Sequence, residues 1–181
     1  MVRAGRFVLL LLLLRWTFLF FVWPMREDVI GASFLHLINL PFHEAGHILF
    51  SPFGDFMTTL GGSLTQVLVP VVCGVAFLTT SWNPFAAAVM GWWAGENLMD
   101  VAIYINDARA LQLTLIGGHT GAEVEGHDWE RILTMTGSLH LDHRIAGIAQ
   151  FLGGVLMIGC LVWGLVVTLK AKDEAWLTGK L

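Results

Sequence analysis

Residues 144–169 read RIAGIAQFLGGVLMIGCLVWGLVVTL, and this stretch decides the fold. After Arg144 it contains no charged side chain, and it exceeds the roughly 20 helical residues that cross a bilayer core about 30 Å thick. Such a segment is helical in lipid, because a helix satisfies its own backbone N–H and C=O groups. The stretch therefore predicts a membrane-spanning helix.

The rest of the chain has the same character. Of its 181 residues, 56% are hydrophobic and only 13% are charged, with a mean hydropathy of +0.70. A soluble domain of this length is far less apolar. Four further apolar windows lie at 7–23, 30–50, 62–80 and 84–106. We therefore predict an all-α, polytopic membrane protein with about five transmembrane spans, in which residues 1–181 form a single membrane-embedded domain.

The N-terminus indicates the orientation. Arg3 and Arg6 precede the first apolar window, and the positive-inside rule then favours a cytoplasmic N-terminus. No small-residue cleavage site follows the window, so we expect it to stay as the first span. The predicted location is a bacterial-type plasma membrane, crossed several times.

Charge and cysteine usage exclude other classes of protein. A formal charge of −4 and a pI near 5.9 leave no basic stripe for phosphates, so we expect no nucleic-acid partner. Cys73 and Cys160 lie far apart inside apolar runs and are expected to be packing residues.

Two regions between and within the windows have recognisable patterns. Residues 111–141 form the longest piece that does not span the membrane, and their sequence predicts a loop with a short amphipathic helix near 129–139.

Gly91 and Gly95 lie four residues apart in the fourth window, which predicts close packing against another helix. We expect that helix to be the one that carries the histidines.

The chemistry concentrates in His43-Glu44-Ala45-Gly46-His47, within the second window. On a helix, His-Glu-x-x-His places two imidazoles on one face, where a single zinc ion can bind both. Zinc lowers the pKa of a bound water to near 7, and the glutamate takes the proton as general base. We therefore predict zinc on His43 and His47, with Glu44 as the catalytic residue.

The position of this motif inside an apolar span supports the prediction. Burying two histidines and a glutamate in lipid costs several kcal/mol unless something compensates, and a metal ion does so. The alternative, interhelical hydrogen bonding without a metal, is our preferred interpretation only for His36, which lies on the same helical stripe as His43 and His47.

A catalytic zinc usually has three protein ligands, so a third is expected elsewhere. Glu96, Asp100 and Asp107 fall on one helical face at about 100° per residue, and an apolar helix does not carry three carboxylates without a use. His127 in the loop is a further candidate. Asp100 lies at about the depth of His43, which favours a supporting role for it, and Asn97 is expected to support the ligands as well.

These residues resemble the site-2 protease family of intramembrane zinc metalloproteases. His43-Glu44-Ala45-Gly46-His47 is similar to the usual form of the family's motif, and Gly61-Gly62 follows much as glycines do there. Asn97-Leu98 followed by Asp107-Ala108-Arg109 looks like a loosened version of the family's Asn-Leu and Asp-Gly pattern, without its prolines and with alanine for glycine. The resemblance covers roughly residues 30 to 110.

The resemblance implies Asp107 as the third zinc ligand. Two alternatives stay open. Glu96, with Asp100 four residues later, also looks like the Glu-x-x-x-Asp of gluzincin peptidases, in which the glutamate binds zinc. His127 is the other.

The predicted function is therefore intramembrane hydrolysis of peptide bonds in membrane-anchored proteins, whose helices must unwind locally to expose their carbonyls. Because few residues lie outside the windows, we expect regulation to need a membrane partner. The alternative function is a non-proteolytic, metal-binding scaffold, chaperone or regulatory subunit that keeps the protease fold. Glu44 argues against it, because storage needs ligands but no base.

Overall fold

The computed structural model describes residues 2–23, 25 and 31–171. Six α-helices account for most of them, with single 3-10 turns at Ser51–Phe53 and Leu139–Leu141. Across these described ranges the only β-pairing is an isolated bridge between Thr114 and Thr120. The prediction of an all-helical protein is confirmed. The helices are α1 (Val2–Val22), α2 (Phe34–Phe50), α3 (Asp55–Thr79), α4 (Pro84–Asn106), α5 (Asp128–Met135) and α6 (Asp142–Lys170).

Among the described residues, three helical segments are long and apolar enough to cross a membrane. They are α1, α3 and the segment Leu139–Lys170 that contains α6. The other two predicted windows are also helical, but α2 has only 17 residues and α4 carries Glu96 and Asp100. A membrane protein is thus supported, and the count of five spans stays a prediction.

Local sequence sets the ends of the helices around the histidine motif. The Ser33 hydroxyl accepts a hydrogen bond from the His36 N–H at 3.2 Å and caps the start of α2. Gly54 has a φ of 89°, a conformation that other residues rarely adopt, and it separates α2 from α3. As a result α3 begins at Asp55, seven residues before the predicted window.

Helix α2 packs on α3 through a pair of glycines. A Cβ on Gly61 would lie 2.6 Å from the carbonyl oxygen of Gly46, and a Cβ on Gly46 would collide with the Gly61 carbonyl. Only hydrogen fits at either position, so the two backbones touch. The motif's own glycine thereby places His43 and His47 directly against α3.

A second glycine contact joins α4 to α6. A Cβ on Gly95 would lie 2.7 Å from the Gly153 oxygen, and a Cβ on Gly91 would lie 2.6 Å from Cys160 Sγ. The predicted close packing of these glycines exists, but the expectation that they face the histidine helix was wrong. They face α6, because the face of α4 towards α2 carries the polar side chains. Helix α1 completes the bundle, with Trp92 Nε1 donating to Thr17 Oγ1 at 2.8 Å.

Replacing Gly153 with alanine should destabilise the bundle. The new Cβ would lie 2.6 Å from the Gly95 oxygen and 2.8 Å from Met99 Cγ, and overpacking of this kind costs roughly 1–3 kcal/mol. Thermal unfolding of the detergent-solubilised protein measures the loss. Gly147→Ala is the matched control in the same helix, since nothing lies within 4 Å of its Cβ. Equal stability of the two variants would contradict the glycine contact.

Candidate metal centre

The site lies where α2 and α4 end and α3 and α5 begin. A cavity of about 730 Å³ opens there, between α2, α4 and the loop that joins α4 to α5. Its polar lining includes His43, Glu44, His47 and Asp128, and apolar side chains such as Leu40 line the remainder. Ionisable side chains and an apolar surface therefore line the same cavity.

Both histidines of the motif are held through their Nδ1 atoms. His43 Nδ1 lies 2.7 Å from Gln66 Oε1, and His47 Nδ1 lies 2.8 Å from the carbonyl oxygen of Thr58. Carbonyl oxygens only accept hydrogen bonds, so each Nδ1 is a donor. In a neutral imidazole the Nε2 atom then carries a lone pair, which is the state that binds a metal ion.

The two Nε2 atoms converge on one carboxylate. Asp128 Oδ2 lies 3.0 Å from His43 Nε2 and 3.2 Å from His47 Nε2. When both Nε2 atoms carry protons, their hydrogen bonds to Asp128 outweigh the effect of burial and hold the pKa of its carboxyl below the usual value. Without those protons, three electron-pair donors face a common point, which is repulsive unless a metal ion supplies positive charge there.

Several contacts hold Asp128 in this position. Its backbone N–H donates to the Tyr104 hydroxyl at 2.9 Å, which ties the start of α5 to α4. The next residue, Trp129, donates its indole N–H to Ser63 Oγ at 3.0 Å, and Arg131 pairs with Asp55 at the start of α3. The carboxylate is therefore placed by the fold and not by the histidines alone.

Glu44 completes the set of ionisable groups. Ligand atoms of His43, Glu44 and His47 all lie within 4.8 Å of one another, so the group could hold a metal ion. The Glu44 side chain is exposed and lines the cavity, and among the described contacts it has no hydrogen-bond partner. It is free to act on a molecule that enters.

Gly62 leaves the space that the two imidazole rings need. A Cβ at this position would lie 2.5 Å from His43 Nε2 and 2.7 Å from His47 Nε2. Any side chain there would collide with both rings. The second glycine of the Gly61-Gly62 pair serves the site, while the first serves the helix contact.

A buried polar network lies behind His43. Gln66 Nε2 donates to Asp100 Oδ2 at 3.0 Å, and Asp100 Oδ1 lies 2.9 Å from His36 Nδ1. Asn39 Nδ2 donates to Glu96 Oε2 at 3.0 Å and lies 3.3 Å from Asp100 Oδ2. Asp100 thus reaches His43 through Gln66, which the sequence had not predicted as an intermediate, and its supporting role towards a metal stays a prediction.

The other candidate ligands lie elsewhere. Asp107 accepts hydrogen bonds from the backbone N–H groups of Gln112 and Leu113, both at 2.9 Å, and lies 3.3 Å from His127 Nε2. His127 Nδ1 accepts from the Glu130 N–H and caps α5. Burial lowers the pKa of His127 more than Asp107 raises it, so the ring is neutral at pH 7.

Glu96 and Asn97 are fully buried and do not reach the histidines either. Glu96 bonds to Asn39, and Asn97 Nδ2 donates to the Trp93 carbonyl at 2.9 Å. The arginine of the family-like pattern, Arg109, pairs with Asp142 at the start of α6. In the described part of the chain, the carboxylate at the two Nε2 atoms belongs to Asp128 and not to Asp107 or Glu96.

Asp128 was missed because the search for a third ligand followed helical faces and the family's spacing. Its signal was present in Gly126-His127-Asp128-Trp129, where an acidic residue opens the amphipathic helix in the loop. Comparison of the chain with family models, with curated proteins and with solved structures found no match. The geometry of the site is therefore the basis for its proposed chemistry.

Gly62→Ala should abolish metal binding while the helices still form. Its Cβ would collide with both imidazole rings and displace their Nε2 atoms. Metal content after purification and helicity by circular dichroism test this expectation. Gly159→Ala is the control, because its Cβ meets nothing within 4 Å. A Gly62→Ala protein that binds metal like the wild type would show that this pair of rings does not hold the metal.

Proposed function

We propose that the chain is a membrane-embedded zinc metalloprotease, with zinc held by His43, His47 and Asp128 and with Glu44 as general base. The observation that carries the proposal is the convergence of two Nε2 atoms on one carboxylate, beside a glutamate that faces a cavity. Asp128 takes the place that the sequence had given to Asp107.

The residues present fit zinc. Two imidazole nitrogens and one carboxylate oxygen form a usual donor set for catalytic zinc, which keeps a further position open. Gln66 and the Thr58 carbonyl hold the opposite nitrogens of the rings, as is common around zinc-bound histidine. When bound, zinc would supply Lewis acidity, acidifying water and polarising the carbonyl under attack.

Glu44 would carry the proton. Its carboxylate faces the cavity, where it can accept a proton from the attacking water and return it to the departing amine nitrogen. Asp128 and the two histidines are engaged with one another, so Glu44 is the group left for this task. A scaffold or storage protein would need no such group beside its ligands.

The surroundings of the cavity support a membrane-anchored substrate. Large apolar side chains are exposed on α2, including Phe34 at 65% and Leu37 at 63%, and Leu37 lines the cavity. An exposed apolar face of this kind suits lipid or a substrate helix. We propose that α2 and α4 also cross the bilayer, giving five spans with a cytoplasmic N-terminus, and that a substrate helix unwinds locally before cleavage.

Metal content tests the ligand set. Elemental analysis of protein purified in detergent without chelators should find about one zinc per chain. The zinc should be lost in His43→Ala and in Asp128→Asn. Asp107→Asn and Glu96→Gln should retain it, because these side chains contact other groups. A wild type without stoichiometric metal would overturn the proposal, and loss with Asp107→Asn instead would return that residue to the ligand set.

Cleavage tests the function itself. The protein would be reconstituted with a single-spanning model substrate whose helix contains a central Asn-Pro pair, and fragments would be detected by mass spectrometry. Glu44→Gln should lower the rate by at least about 100-fold, the lower end of general-base catalysis, with zinc content unchanged. Glu125→Gln is the matched control, an exposed glutamate that lines the cavity but is not part of the group formed by His43, Glu44 and His47. Equal rates in Glu44→Gln and the wild type would exclude the proposed role.

A further inference from the structure

The orientation of the Gln66 amide decides the state of His43. Gln66 is 4% exposed, and its Oε1 atom lies 2.7 Å from His43 Nδ1. An amide side chain can present either its oxygen or its NH2 group to a partner. With the NH2 group towards His43, the ring proton would move to Nε2, and that nitrogen could no longer bind a metal ion.

His47 has no such ambiguity. Its Nδ1 atom lies against the Thr58 backbone carbonyl, which cannot present a donor. The fold alone therefore fixes the tautomer of His47. His43 depends on whatever fixes Gln66.

Asp100 supplies that constraint. Its carboxylate only accepts hydrogen bonds, and Oδ2 lies 3.0 Å from Gln66 Nε2. The NH2 group of Gln66 must therefore face Asp100, and the oxygen must face His43. We propose that Asp100 is a positioning residue that acts through Gln66 to keep the proton of His43 on Nδ1 and its Nε2 ready for metal. The inference rests on the proposed function for its metal but concerns the chain's own hydrogen bonds.

The Asn39 amide, further from the site, has its orientation fixed in the same way. The Trp93 indole N–H, which can only donate, lies 2.8 Å from Asn39 Oδ1. The Asn39 NH2 group must then face the carboxylates of Glu96 and Asp100, as observed. Both buried amides thus have a single orientation. The Asp100 carboxylate, which can only accept, fixes Gln66, and the Trp93 indole, which can only donate, fixes Asn39.

Two variants separate this role from simple packing. Asp100→Leu keeps a side chain of similar size but frees the Gln66 amide, so zinc affinity should fall about tenfold, as is typical for loss of a hydrogen-bond partner behind a zinc ligand. Adding Gln66→Glu to Asp100→Leu should restore affinity to within about threefold. A carboxylate at position 66 only accepts, so it holds the His43 proton on Nδ1 without help.

The rescue is decisive because both variants share the same lesion at position 100. A packing role for Asp100 would leave the double variant as weak as Asp100→Leu, and that result would overturn the inference. Thr168→Val is the control, a fully buried polar residue of α6 whose hydroxyl donates to the Gly164 carbonyl at 2.7 Å. Its zinc affinity should match that of the wild type.

Nitrogen-15 NMR of the histidines provides a readout that needs no metal. The measurement uses metal-free protein that carries Asp128→Leu, because the Asp128 carboxylate would otherwise favour a proton on His43 Nε2. In this background the His43 proton should reside on Nδ1, and it should stay there when Asp100→Leu and Gln66→Glu are both added, while Asp100→Leu alone should shift it towards Nε2. An unchanged tautomer in Asp100→Leu would refute the inference. If the wild type binds no zinc, the proposed function fails, yet this measurement still decides whether Asp100 sets the tautomer.

Discussion

The backbone contact between Gly46 and Gly61 is the constraint on which the rest of the site depends. It brings α2 against α3 so closely that neither position tolerates a Cβ. One residue further along α3, Gly62 then lies under both Nε2 atoms, and Thr58 and Gln66 lie one helical turn to either side, against the two Nδ1 atoms. Helix packing in an apolar medium relies on such small-residue contacts, since there is no hydrophobic driving force between helices in lipid. Here the same contact also positions the histidines of the candidate metal centre.

Polar groups inside this bundle are tolerated because they are linked to one another. An unpaired polar group in an apolar environment costs roughly 2–7 kcal/mol, and the interior holds Asn39, Gln66, Glu96 and Asp100, all at most 8% exposed. Hydrogen bonds connect these four side chains with His43. The network that satisfies the buried polar groups therefore also ends on a candidate ligand. Stability and the proposed chemistry are therefore coupled through one set of side chains.

Much of the fold followed from local features of the chain. The apolar windows predicted the long helices, and the motif His43-Glu44-Ala45-Gly46-His47 predicted the pair of imidazoles on one face of α2, because both depend only on composition and helical periodicity. The carboxylate that lies at the two histidines could not be predicted from such features. Asp128 lies 81 residues after His47 and reaches it only because Tyr104, Ser63 and Asp55 hold the start of α5. The partner of Gly91 and Gly95 could not be predicted either, since a small-residue spacing does not specify which helix it meets.

The sequence by itself determined an apolar helical chain and the type of chemistry, because hydropathy and the spacing of two histidines are properties of single segments. Only the tertiary structure decided which acidic residue lies at the histidines, which glycine leaves room for their rings, and which way the Gln66 amide points. These depend on contacts between residues far apart in the chain, where several carboxylates of equal chemistry compete. The packing of α2, α3, α4 and α5 brings one of these carboxylates to the histidines. Its position in three dimensions cannot be read from any local sequence pattern.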